Sequence, residues 1–219
     1  YASVLLSIKA AAVSPVITGP ADAAGAASIT TSSAENQNVA GVWTATGTGT
    51  WSLSGTDAAA LAISGGTVTK ASGNFDFETK ASYSFTVNYG SASQAVTLNL
   101  TDINEAPSFV GPAIGALVLT QGTAMSPVNI ASRFVDPEGL SITGSIVESL
   151  PAGLSVVAGV LQGTPTATQA STGYTPRGAD PAGNGTNGTP FTITVNASGG
   201  GGGVKVPATL LSRLLTPRS

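Results

Sequence analysis

Over Gln94 to Thr101 the chain alternates polar and apolar side chains, strictly so from Val96 on, the period of a half-buried β-strand. The same alternation, in shorter runs rich in Val, Thr and Ile, predicts strands over 40–45, 50–54, 61–63, 67–70, 83–89 and 95–101. Turn clusters such as Gly47-Thr48-Gly49 and Gly65-Gly66 separate them. Trp43, Trp51, Leu53, Leu61, Ile63, Phe75, Tyr83, Phe85 and Val87 are the expected core of this half. Beyond Pro107 the pattern resumes over 117–119, 139–146, 153–157, 160–163 and 191–195. The stretch 170–189 is poor in apolar residues and reads as a long, mobile hairpin.

The pattern changes only at the ends. Residues 1–28 are small, apolar and loosely patterned, and residues 4–8 are expected as a strand or as an arm laid on a neighbour. Gly199 to Gly203 form a flexible linker. After it, Leu210, Leu211, Leu214 and Leu215 share one helical face between Pro207 and Pro217. A helix that short needs a partner surface to bury its leucines, so the tail reads as a docking peptide. The whole is expected to be all-β: two tandem β-sandwiches, with an arm over 1–28, domains over 29–105 and 106–197, and a linker and tail over 198–219.

Composition narrows the function. Only 9% of the 219 residues are charged and the net charge is -3, which leaves no basic stripe for nucleic acid. There is no Cys, hence neither a disulfide framework nor a thiolate metal site, and no His, the commonest general base. No run of 18 apolar residues suggests a membrane-spanning helix, and the opening residues lack the basic region of an intact signal peptide. No nucleophile-elbow or phosphate-loop motif occurs. The carboxylate pairs Asp76 with Glu78 and Asp136 with Glu138 leave a glycan-binding or glycan-cleaving module open as an alternative. The Asn-Gly-Thr and Asn-Ala-Ser triplets at Asn184, Asn187 and Asn196 read as turn sequences.

The acids are not spread evenly. Of eleven, Glu35, Asp76, Glu78, Asp102, Glu105, Asp136, Glu138 and Asp180 fall in or beside turn and linker segments. A strand ends at Thr101, the oxygen-rich run Asp102-Ile103-Asn104-Glu105 follows, and Pro107 starts an extended link. Such a run suits a hard cation that takes six to eight oxygens. Packed without a cation, these carboxylates would repel one another. Turn chemistry offers the alternative, since Asp and Asn cap turns through backbone amides, and Arg133 stands close enough in sequence to neutralise Asp136.

Residues 29–107 resemble a cadherin-type repeat of the bacterial and phage kind. The resemblance lies in Ala34-Glu35-Asn36, Trp51 to Asp57, Phe75-Asp76-Phe77-Glu78-Thr79 and Asp102 to Pro107. Residues 108–197 are similar to the dystroglycan-type cadherin-like (putative Ig) repeat. There the matching pieces are Phe134 to Gly139, Leu150 to Ser155, Leu161 to Pro165 and Ala179 to Asn184. The resemblance implies calcium between successive repeats, a structural and interdomain Ca²⁺. Its ligands would be Glu35, Asp76, Glu78, Asp102, the Ile103 carbonyl region, Asn104, Glu105, Asp136, Glu138 and Asp180. Phe77 replaces the usual arginine and Glu105 the usual aspartate. Mg²⁺ suits the site less, since it demands octahedral geometry and keeps its waters. Repeats of this kind often decorate phage structural proteins. The expected role is therefore non-enzymatic: a structural or decoration protein on a bacteriophage virion surface. Both termini would dock on protein subunits of the assembly, and the sandwiches would display to, or adhere to, a host surface protein or glycan. A stalk fragment of a bacterial cell-surface adhesin is the alternative.

Overall fold

The computed structural model describes residues 14–20 and 24–199, and the chain divides into two compact units, Tyr1–Asn104 and Glu105–Ser219. Leu210, Leu211, Leu214 and Leu215, with the rest of the tail and residues 4–8, lie outside the described residues.

In the first unit the strands are β1 (Val16–Thr18), β2 (Ser28–Ala34), β3 (Val39–Val42), β4 (Thr44–Thr46), β5 (Trp51–Ser54), β6 (Leu61–Ser64), β7 (Thr67–Lys70), β8 (Ser82–Tyr89) and β9 (Ala92–Thr101). One sheet has the order β2-β9-β8-β5 and another β3-β7-β6, while β1 pairs with β4. β2 runs parallel to β9 and the remaining pairs are antiparallel. In β8 and β9 alternate positions are buried, as expected for strands with one face on a core. Trp43, Leu61, Phe75, Tyr83, Phe85 and Val87 are buried in that core, and Trp51, Leu53 and Ile63 are half-buried against it. Trp43 meets Phe85 edge-on at 6.1 Å. Its indole N–H is satisfied by Gln94 Oε1 at 2.8 Å, and the Gln94 amide donates in turn to the Ala26 carbonyl at 3.0 Å. Both hydrogen bonds allow a glutamine to occupy an inward strand position with no solvent exposure. Gly65 and Gly66, both at positive φ, close the β6–β7 hairpin in two residues. A Cβ on Gly66 would lie 2.1 Å from the Trp43 carbonyl oxygen.

One boundary differs from the expectation. The stretch read as an arm over 1–28 supplies β1, whose Ile17 is 2% exposed and sits in the core. A single apolar side chain flanked by a Gly-Pro turn carries too little periodicity to announce a strand.

The second unit contains β10 (Ser108–Phe109), β11 (Leu117–Thr120), β12 (Val128–Asn129), β13 (Phe134–Val135), β14 (Thr143–Ile146), β15 (Leu154–Val157), β16 (Val160–Gly163), β17 (Gln169–Tyr174), β18 (Pro176–Ala179), β19 (Gly185–Asn187) and β20 (Phe191–Asn196). Its sheets are β11-β20-β17, β14-β18-β19, β12-β16-β15 and the pair β10-β13. Ile130, Phe134, Leu154, Leu161, Tyr174, Phe191, Ile193 and Val195 form the core. The stretch expected as a mobile hairpin over 170–189 is instead three strands, with β17 on β20 and β18 between β14 and β19. Tyr174, Pro176 and Gly178 point inward, and a Cβ on Gly178 would lie 2.5 Å from the Phe134 ring. The small residues that hide the strand from a hydrophobic pattern are what let the aromatic ring reach the backbone.

Candidate functional site

Each unit gathers carboxylates where strands end. In the first unit Glu35 follows β2, Asp76 and Glu78 flank Phe77 in the loop before β8, and Asp102 follows β9. Parallel pairing of β2 with β9 sets Ala34 opposite Thr101, which brings Glu35 to the segment after β9. Glu35 is 2% exposed, and its carboxylate accepts the Phe77 N–H at 2.8 Å and the Ile103 N–H at 2.7 Å. It thereby ties the loop carrying Asp76 and Glu78 to the segment carrying Asp102. Carboxylate oxygens of Glu35, Asp76 and Glu78 lie within 4.8 Å of one another, and one of Asp102 is equally close to Glu78. Asp76 also caps its own turn, accepting the Thr79 N–H at 2.7 Å. Asp102, Ile103 and Asn104 are exposed.

The second unit builds its acids on two turns of the same type. Asp136-Pro137-Glu138-Gly139-Leu140 and Asp180-Pro181-Ala182-Gly183-Asn184 share the spacing Asp-Pro-x-Gly-x. In the first, Gly139 N–H donates to the Asp136 carbonyl at 3.1 Å and Leu140 N–H to Asp136 Oδ1 at 3.0 Å. In the second, Gly183 N–H donates to the Asp180 carbonyl at 3.1 Å and Asn184 N–H to Asp180 Oδ1 at 2.9 Å. The turns diverge at the other oxygen. Asn184 Nδ2 donates to Asp180 Oδ2 at 3.1 Å, whereas Asp136 Oδ2 is buried with no hydrogen-bond partner. Glu138 Oε2 is likewise buried without a partner, while its Oε1 accepts the Glu105 N–H at 3.4 Å. Burial pushes the Glu138 carboxyl above the usual range; the Asp136 charge and the Glu105 carboxyl add to the rise against opposing backbone hydrogen bonds. Glu105, Asp136 and Asp180 join no group of three acids among the described residues.

None of the four described basic side chains makes a salt bridge to Glu35, Asp76, Asp102, Asp136 or Glu138. Lys80 pairs with Asp57 at 2.7 Å, and Lys70 donates to the Tyr83 hydroxyl at 2.5 Å. Arg177 lies along Gly185. Arg133, close enough in sequence to pair with Asp136, turns instead to the carbonyls of Asn129 and Pro112. The turn-chemistry explanation accounts for Asp180 and for one oxygen each of Asp76 and Asp136. It leaves Asp136 Oδ2 and Glu138 Oε2 unexplained.

The profile of the family described as Putative Ig domain matches residues 106–198. Among solved structures, human protocadherin-24 EC1-2 superposes with a TM-score of 0.52 at 17% identity, covering 77% of this chain and 95% of that one. The fold is that of Ig-like and cadherin-like β-sandwiches. Human desmocollin-1 ectodomain (TM-score 0.48, 10% identity, 84% and 41% covered) and mouse protocadherin-24 EC1-3 (0.45, 18%, 81% and 64%) also align. No curated protein matches the chain. No helix among the described residues is long and apolar enough to cross a membrane.

Proposed function

We propose that the chain is a non-enzymatic structural module that projects two calcium-stiffened β-sandwiches for surface display or host adhesion. Its carrier would be a large assembly, most concretely a bacteriophage virion. The observation that carries the calcium reading is the pair of buried, unpartnered oxygens on Asp136 and Glu138. A buried carboxylate oxygen with neither donor nor cation is costly, and a divalent cation removes both the desolvation cost and the mutual repulsion. Oxygen-only chemistry and the absence of His and Cys favour Ca²⁺ over a transition metal. The first unit offers Glu35, Asp76, Glu78 and Asp102 beside Ile103; in the second, Asp136 and Glu138 carry the unpartnered oxygens and Glu105 donates its N–H to Glu138.

Thermal melting in calcium and in chelator tests the reading. An ion at 100 times its Kd stabilises the folded state by about 2.7 kcal/mol. Identical melting under both conditions refutes calcium binding, and Asp102→Ala should diminish any difference. The assembly reading rests on the sequence, through the leucine face at Leu210, Leu211, Leu214 and Leu215. Deleting residues 199–219 should abolish incorporation into the parent particle, and unchanged occupancy refutes it.

A further inference from the structure

We infer that Leu140 decides the cation competence of the Asp136 turn, because it withholds the side-chain donor that Asn184 supplies to the matching turn. The inference rests on the calcium reading above and names the residue that keeps one of its ligands open. The two turns act as each other's control. Both have Pro after the aspartate and glycine at the fourth position, with φ +72 at Gly139 and φ +94 at Gly183, while the third is Glu138 in one and Ala182 in the other. Both make the same two hydrogen bonds from backbone N–H groups, at lengths that agree within 0.1 Å, and the Asp180 turn adds one from its own N–H to the Asn184 carbonyl at 2.9 Å. Both aspartates are 4% exposed. The fifth residue differs. Asn184 turns its amide back onto Asp180 Oδ2, so this turn meets that oxygen's need from within. Leucine has no side-chain donor, and Asp136 Oδ2 is left buried and unpartnered, as is one oxygen of Glu138 two residues on. A turn needs only one carboxylate oxygen to close, so an unpartnered second oxygen is not required by the local fold. It depends on the side chain at position 140.

Placing asparagine at 140 should reproduce the Asp180 arrangement, and a cation would then have to displace an amide hydrogen bond to a charged oxygen. A hydrogen bond of that class corresponds to about a tenfold loss of affinity or more. The experiment titrates the full chain with calcium chloride while following the Gly139 amide by NMR, for wild type, Leu140→Asn and Leu140→Ala, and records the melting temperature in chelator. The expected result is roughly tenfold or greater weakening in Leu140→Asn with a higher metal-free melting temperature, and wild-type affinity in Leu140→Ala. Leu140 is 40% exposed, so neither substitution opens the core. Wild-type affinity in Leu140→Asn, equal weakening in Leu140→Ala, or a lowered metal-free melting temperature in Leu140→Asn each overturns the inference alone. A wild type whose Gly139 signal ignores calcium overturns this inference; if calcium also fails to change its melting, the functional reading falls with it.

Discussion

Glu35→Ala separates a structural tie from a metal ligand. The side chain is 2% exposed and accepts two backbone N–H groups, from Phe77 at 2.8 Å and Ile103 at 2.7 Å. Hydrogen bonds to a charged acceptor contribute about 1.5–3 kcal/mol each, so two would give at most about 6 kcal/mol. Phe77 is half-buried and Ile103 is 42% exposed, so water can replace part of what is lost. The expected loss is about 2–3 kcal/mol, present without calcium. Both tryptophans, Trp43 and Trp51, lie in the first unit, so urea unfolding followed by tryptophan fluorescence in chelator reports on this unit. With a slope of about 1–3 kcal/mol/M, the midpoint should fall by roughly 1 M or more. Hydrogen exchange at Phe77 and Ile103 should accelerate together. A loss under about 0.5 kcal/mol in chelator, with a large loss only in calcium, refutes the tie and makes Glu35 a ligand alone.

Three further expectations follow from single residues. Glu138→Gln should raise the melting temperature in chelator, because burial disfavours the ionised form, and should reduce the gain from calcium; a lower melting temperature in chelator contradicts this. Ala158, at φ +48 ahead of Gly159, opens the two-residue β15–β16 turn in a conformation that suits Asn or Gly, so Ala158→Asn should stabilise by about 0.5–1 kcal/mol in urea unfolding, and no gain refutes the strain. Burial raises the Glu148 carboxyl, but the N–H and hydroxyl of Thr175 outweigh it and hold the group below its usual range. A depressed folded-state value gives stability that is present above the ordinary glutamate range and is lost as pH falls through it. Glu148→Gln should therefore flatten the decline below about pH 4.3, and an unchanged acid limb refutes it.

Several elements are legible because one physical signal dominates them. β7, β8 and β9 are long enough to show alternation, and their inward residues are large, so Tyr83, Phe85, Val87, Val96 and Leu98 declare the buried face. Gly65-Gly66 declares its hairpin, because two successive positive φ angles are cheap only for glycine. β17, β18 and β19 give no such signal. Apart from Tyr174 their own residues are mostly small or polar, with pairing supplied by their neighbours, and a pattern that scores bulk sees a loop. Gln94 looks like the polar start of a strand until Trp43 brings an indole N–H to it across 51 residues.

The candidate site divides in the same way. Sequence alone determined that the acids cluster beside turns and a linker, that oxygen is the only ligand chemistry on offer, and that the chain is all-β, because these follow from residue type and short-range spacing. Only the tertiary structure decided what each carboxylate does. The β2–β9 register delivers Glu35 to two backbone amides, Arg133 is drawn away to carbonyls, and Asn184 answers Asp180 Oδ2 while nothing answers Asp136 Oδ2. A charged oxygen's role depends on which donors reach within about 3 Å of it, and that distance is set by chain folding.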